Sequence, residues 1–165
     1  MTQAVVAGAL AVAGLNAIAG LLGAWLWLRP SRPPIDQPTG GSSGAARERA
    51  FWVALRIGQG SALALAIAVG SLAAAGRYSS VHLFYLYALL PLAIAFVAEQ
   101  LRVTAAQTIL DQRDLADAQA VGALPEAEQF AIVAAIVHRE VAVMAASALV
   151  VVFLALRAAG TAHGF

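Results

Sequence analysis

The sequence predicts an all-α integral membrane protein, a four-helix transmembrane bundle with an extended cytoplasmic helical hairpin between helices 3 and 4. Hydrophobic residues make up 61% of the 165 residues and charged residues 12%, a balance far outside that of soluble domains. Four apolar stretches approach or reach the roughly 20 residues that a helix needs to cross a bilayer. Arginines cluster between the first two stretches. We therefore expect a single transmembrane domain over residues 1–165.

Helices 1 and 2 are predicted over about 4–28 and 50–75, where the chain is predominantly apolar. The first stretch lacks the basic start of a signal peptide and is too long for its apolar core, so we expect a retained helix. The connection over about 29–46 is rich in proline, glycine and serine. Such a composition cannot bury enough apolar area to offset its ordering entropy, and it predicts a flexible linker.

Helix 3 is predicted over about 81–120, because the chain from 99 to 120 favours helix and has no internal glycine or proline. Pro91 lies inside this helix and predicts a kink. Gly122 is a plausible stop, and Pro125 begins helix 4, predicted over about 125–158. Apolar residues recur at helical spacing from Phe130 onwards, so helices 3 and 4 should form a long hairpin that projects from the membrane.

The distribution of arginine predicts the orientation of the bundle. Four crossings place both termini on one side, and the first connection carries Arg29, Arg32, Arg47 and Arg49 whereas the second carries Arg77. The positive-inside bias then places the first and third connections in the cytoplasm and both termini outside.

All basic residues are arginine and none is lysine, which together with the alanine excess indicates a high-GC coding bias. We expect a multi-pass protein of the plasma (inner) membrane of a bacterium.

Helix 2 carries a stripe of small residues at every fourth position. Its members are Ala54, Gly58, Ala62, Ala66 and Gly70. Small side chains mark close helix contacts in membranes, either within the chain or between copies of it. The expected partners are the lipid bilayer and either a homo-oligomer or a larger membrane complex. A net charge of +1 gives no basic field for nucleic acid.

Asn16 lies in the middle of helix 1, where an unpaired amide is unfavourable. A partner on another helix is therefore expected, and Ser61, Ser71 and Ser147 are the candidates.

A candidate intramembrane polar cluster lies at the cytoplasmic ends of helices 2 to 4. Its members are Arg56, Gln59, Glu99, Gln100, His138, Arg139 and Glu140. Charged groups within spans are costly, so Arg56 should pair with Glu99 or Glu140. Two interpretations stay open: an ion-pair network that fixes the register of the helices, or a polar vestibule for a proton, an ion or a small anionic solute.

The sequence contains no diagnostic catalytic or cofactor motif. Without cysteine, thiolate catalysis, disulfides and iron–sulfur ligation are excluded, and no catalytic residue, metal site or cofactor is predicted. His82 and His138 fall at opposite ends of the bundle and cannot share a haem, while His82 and His163 could meet outside. We expect a non-enzymatic subunit or scaffold of a membrane assembly. The alternatives are a transporter or channel subunit that uses the polar cluster, and a haem- or quinone-binding electron-transfer subunit.

Overall fold

The computed structural model describes residues 2–29 and 41–163, and all regular secondary structure in these ranges is helical. The helices are α1 (Thr2–Trp27), α2 (Gly41–Ala74), α3 (His82–Asp111), α4 (Ala118–Gly122) and α5 (Glu126–Thr161). Four of them are long and apolar enough to cross a membrane, α2 through its part Gly44–Ala74. The all-α fold class and the four candidate spans are thus confirmed, and α5 corresponds to predicted helix 4.

The four long helices form a bundle in which consecutive helices run in opposite directions. Around the bundle the neighbours are α1 and α2, α2 and α3, α3 and α5, and α5 and α1, with the most extensive contacts between α5 and its two neighbours. One apolar cluster lies near both termini and includes Val5, Val69, Phe84 and Ala155. A second lies at the opposite end and includes Ala19, Phe51, Ala98 and Met144. We call this second end the arginine-rich end, because Arg29, Arg47 and Arg102 lie near it.

Glycines allow α1 to approach its neighbours closely at the arginine-rich end. A Cβ atom placed on Gly23 would lie 2.5 Å from a ring carbon of Phe51 and 2.7 Å from the Cβ of Ala145. A Cβ on Gly20 would lie 2.7 Å from a side-chain carbon of Leu149 on α5. A side chain at Gly23 would meet both α2 and α5, and one at Gly20 would force Leu149 to shift, so the close approach of α1 to its neighbours depends on these glycines.

The tip of the α3–α5 hairpin differs from the prediction of one helix over 81–120. α3 ends at Asp111, and Asp114 has a positive φ of 54°. The short α4 then begins after Asp117, whose carboxylate accepts hydrogen bonds from the backbone amides of Gln119 and Ala120. Aspartate side chains offer the backbone an alternative to helical hydrogen bonds, and three of them within seven residues end the helix here.

Two further expectations concern the linker and the kink. α2 begins at Gly41, so residues 41–46 of the predicted linker are helical, and residues 30–40 lie outside the described residues. Pro91 is buried inside α3, which continues through it, and the kink stays a prediction.

At the end of the bundle that carries the termini, hydrogen bonds join the segment after α5 to the α2–α3 connection. The backbone carbonyl of His163 accepts from the hydroxyl of Ser79 at 2.9 Å and from the backbone amide of Ser80 at 3.0 Å. The hydroxyl of Tyr85 accepts from the backbone amide of Ser79 at 2.8 Å. The segment after α5 is therefore joined to the connection between α2 and α3.

Candidate functional site

An ionic cluster joins α2 to α3 near the arginine-rich end. Arg56 on α2 donates from Nη1 to Oε1 of Glu99 on α3 at 2.5 Å and to Oε1 of Gln59 at 2.7 Å. Gln59 Nε2 lies 3.5 Å from the same oxygen of Glu99. Arg102 places its Nε 3.5 Å from the other oxygen, Oε2. Glu99 therefore interacts with two guanidinium groups, and the cluster carries one net positive charge.

Helical spacing explains why these side chains meet. Arg56 and Gln59 are three residues apart on one face of α2, and Glu99 and Arg102 are three apart on one face of α3. Trp52, one turn before Arg56, lies beneath the guanidinium of Arg102, whose Cζ is 5.4 Å from the ring centroid. The indole thus adds a cation–π contact to the ion pairs between the helices.

The ionic cluster lies on the outer surface of the bundle. The Arg56 side chain is 54% exposed and the Glu99 side chain 29%. Large apolar residues on both helices are exposed beside it. Together these residues form what we call the α2–α3 face: Val53, Arg56, Ile57, Phe96, Glu99 and Val103.

Only part of the predicted polar cluster comes together in the structure. Arg56, Gln59 and Glu99 meet, whereas Gln100, His138 and Arg139 are exposed and make no hydrogen bond or ion pair through their side chains with any residue that the structure describes. The ring of His138 instead contacts that of Trp27, with centroids 5.9 Å apart.

The alternative pairing of Arg56 with Glu140 is wrong. Glu140 lies on α5, which is diagonal to α2 in the bundle and contacts it only slightly, and the ion pair of Arg56 is with Glu99. The sequence did not single out Trp52 or Arg102 as members of the cluster. The signal for Arg102 was its position three residues after Glu99, where it shares the same helix face.

Asn16 is the buried polar residue at the centre of the α1–α2 contact. Its Nδ2 donates to the carbonyl of Val12 at 2.9 Å and to the carbonyl of Gly58 on α2 at 3.2 Å. A Cβ on Gly58 would lie 2.9 Å from Asn16 Oδ1, so glycine is needed for this approach. The interhelical partner is thus a backbone carbonyl.

The serines expected to pair with Asn16 hydrogen-bond within their own helices. Ser61 Oγ donates to the carbonyl of Gly58 at 2.7 Å, Ser71 Oγ to that of Ile67 at 2.9 Å, and Ser147 Oγ to that of Met144 at 2.8 Å. A hydroxyl can always reach a carbonyl one turn back, and this local bond competes with any interhelical one.

The small-residue stripe of α2 is divided between the interior and the surface. Gly58, Ala62 and Ala66 are buried and Ala54 is half-buried, whereas Gly70 is exposed with open space at its Cβ position. The buried part of the stripe therefore serves contacts within the chain.

The interior near the ionic cluster is apolar. Phe51, Leu55 and Met144 are buried side by side at that end of the bundle. Among residues 2–29 and 41–163, the buried polar residues are Asn16 and Ser79, and no group of three or more histidine or acidic side chains could hold a metal ion.

Comparison with known proteins found no matching family model, no matching curated protein and no matching solved structure.

Proposed function

We propose that the chain is a non-enzymatic subunit or scaffold of a membrane assembly and that it joins its partner through the α2–α3 face. The observation that carries this proposal is the exposure of the Arg56–Glu99 ion pair within two candidate spans. Charged side chains at membrane depth are costly when they face lipid. A partner helix with polar side chains would cover the pair and lower that cost.

The depth of the ion pair supports this proposal. Arg56 lies one turn beyond Trp52 towards the middle of α2, about 6 Å at the rise of an α-helix. Tryptophan prefers the membrane interface, so Arg56 falls at the edge of the hydrocarbon. Its exposed guanidinium therefore lies deeper than the headgroup level that tryptophan occupies.

The surroundings of the ion pair suit helix packing. Phe96 and Val103 project from α3 on either side of Glu99, and both are more than half exposed. Gly60, one turn after Arg56, has open space at its Cβ position. A partner helix could pack against these large side chains, and its backbone could approach closely at the glycine.

Transport through the polar cluster has less support. A pathway requires polar groups that line an interior route, but Arg56 and Glu99 lie on the outer surface while Phe51 and Met144 fill the interior at that end. A haem-binding role also has less support, because His82 begins α3 at the end that carries the termini, whereas His138 on α5 lies beside Trp27 at the arginine-rich end.

We further propose that the arginine-rich end faces the cytoplasm of a bacterium, with both termini outside. Arg29, Arg47 and Arg49 lie at this end, and the positive-inside bias supports the orientation. Single cysteines at the exposed Ala45 and Tyr78 test it with an impermeant maleimide on intact cells. Tyr78→Cys should react at once and Ala45→Cys only after lysis; the reverse order contradicts the orientation.

Cysteine crosslinking in native membranes tests the proposed function, since the natural chain has no cysteine. Phe96 and Phe153 form a matched pair: one lies on the α2–α3 face and the other on α5, with exposures of 66% and 70%. Phe96→Cys should give a discrete crosslinked species, of twice the chain mass for a second copy or another fixed mass for a different subunit. Phe153→Cys should give none. Equal crosslinking of both variants, or none in either, would refute the proposal.

A further inference from the structure

A second polar and aromatic site lies on the α1 side of the bundle, separate from the α2–α3 face. A cleft of about 430 Å³ opens there between the end of α1, the beginning of α2 and the side of α5. Its volume is within the range of small-molecule sites. Trp25, Arg29 and Arg47 line its polar part, while Val133 and Val137 belong to its apolar floor.

Two guanidinium groups, one from the segment after α1 and one from α2, converge on one indole in this cleft. The Cζ of Arg29 lies 3.6 Å from the ring centroid of Trp25, and the Cζ of Arg47 lies 5.6 Å from the same centroid. Neither guanidinium forms an ion pair with a carboxylate in the part of the chain that the structure describes. Both therefore keep hydrogen-bond donors for an external anion.

We infer that this cleft binds one anionic phospholipid, with the phosphate between Arg29 and Arg47 and an acyl chain along the floor. Guanidinium groups match the geometry of phosphate oxygens, and basic pockets between transmembrane helices bind anionic headgroups. Trp25 and Trp27 place the site at headgroup level, where tryptophan is preferred.

The remaining groups of the cleft favour a headgroup that also carries hydroxyls. Glu48 lines the cleft, and its carboxylate can accept a hydrogen bond from a headgroup hydroxyl. His138 lines the cleft beside Trp27 and adds a ring nitrogen. A phosphatidylglycerol headgroup has one phosphate for the two arginines and two hydroxyls for these partners.

Native mass spectrometry of the full chain in detergent tests the inference by competition between phosphatidylglycerol and phosphatidylcholine with identical acyl chains. The natural chain should retain phosphatidylglycerol preferentially. The Arg29→Gln/Arg47→Gln variant should lose roughly 10- to 30-fold of this preference, as expected for two arginines that act on an anionic lipid. Arg157→Gln is the matched control, because its guanidinium lies 5.7 Å from the ring centroid of Tyr87 at the other end of the bundle. Its preference should be unchanged.

A second variant separates a lipid site from a site for free anions. Ala134 lies in the floor, and Ala134→Trp should fill it while both arginines remain. This variant should also lose phosphatidylglycerol, and it keeps the inference testable if the double arginine variant does not fold. Three results would overturn the inference: no preference in the natural chain, an equal loss in Arg157→Gln, or displacement of the lipid by free glycerol phosphate at equal concentration.

Discussion

The α1–α5 contact and the α2–α3 contact hold the same bundle together by different means. Along α1 and α5 the helices approach so closely that Gly20 and Gly23 have no room for a side chain. α2 and α3 contact each other far less, and the ion pair of Arg56 with Glu99 joins them. Close packing holds α1 against α5. An ion pair joins α2 to α3, and apolar side chains beside this pair stay exposed.

For helices that cross a bilayer, such a difference has a physical reason. Without water in the hydrocarbon, helices gain little from burying apolar side chains, and close packing of small residues holds them together. An ion pair joins two helices at one level without bringing their full lengths together. We infer that the α1–α5 contact carries stability and that the α2–α3 face carries binding.

The largest expected effect is at Gly23. Gly23→Leu forces a side chain against Phe51 and Ala145 and should destabilise the bundle by about 3 kcal/mol or prevent folding. Gly14 on the same helix is exposed, with nothing within 4 Å of its Cβ position, and Gly14→Leu is the control. Unfolding in sodium dodecyl sulfate followed by circular dichroism measures both variants. Equal loss in the two would contradict the assignment of stability to the α1–α5 contact.

A smaller effect is expected at the hydrogen bond between α1 and α2. Gly58→Ala places a methyl group 2.9 Å from the amide oxygen of Asn16 and should cost about 1–2 kcal/mol, since it strains the bond from that amide to the backbone. Gly60→Ala, two residues away in open space, should be neutral or slightly stabilising because alanine favours helix. The same unfolding assay compares them, and a loss as large in Gly60→Ala would show that the Asn16 contact is not the cause.

The smallest effect is expected at the ionic cluster. Glu99→Gln removes the charge that faces Arg56 and Arg102, yet it should lower stability by only about 0.5–1 kcal/mol, because the pair is partly exposed. Exchange of the charges in Arg56→Glu/Glu99→Arg should recover part of the loss relative to either single exchange. Glu140→Gln should leave stability unchanged, and a larger loss there than in Glu99→Gln would contradict the observed pairing.

The sequence was sufficient for the four candidate spans and for the part of the polar cluster formed by Arg56, Gln59 and Glu99. The length of the apolar stretches predicted four helices, and the cost of a charge within a span predicted that Arg56 would pair with an acidic residue. Depth along the chain could not decide between Glu99 and Glu140, because both lie at the same level. The choice depends on which helices are neighbours, and α2 is the neighbour of α3 and lies diagonal to α5.

Individual hydrogen bonds explain the other differences between the prediction and the structure. Asn16 was correctly expected to need an interhelical partner, but a backbone carbonyl became accessible only because Gly58 lacks a side chain. Helix propensity alone extended helix 3 to about residue 120, whereas Asp117 caps a separate short helix. A helix cap depends on individual hydrogen bonds, and the helix propensity averaged over a segment does not account for them.

Protection of the α2–α3 face in the native membrane tests the central claim most directly. Spin labels on Phe96→Cys and Phe153→Cys report collision with oxygen dissolved in the lipid. Compared with the purified chain in nanodiscs, the label at position 96 should be clearly less accessible in native membranes, because a partner covers that face, while the label at position 153 should be equally accessible in both. If position 96 is as accessible to oxygen in native membranes as in nanodiscs, the face is free and the proposed role in an assembly is contradicted.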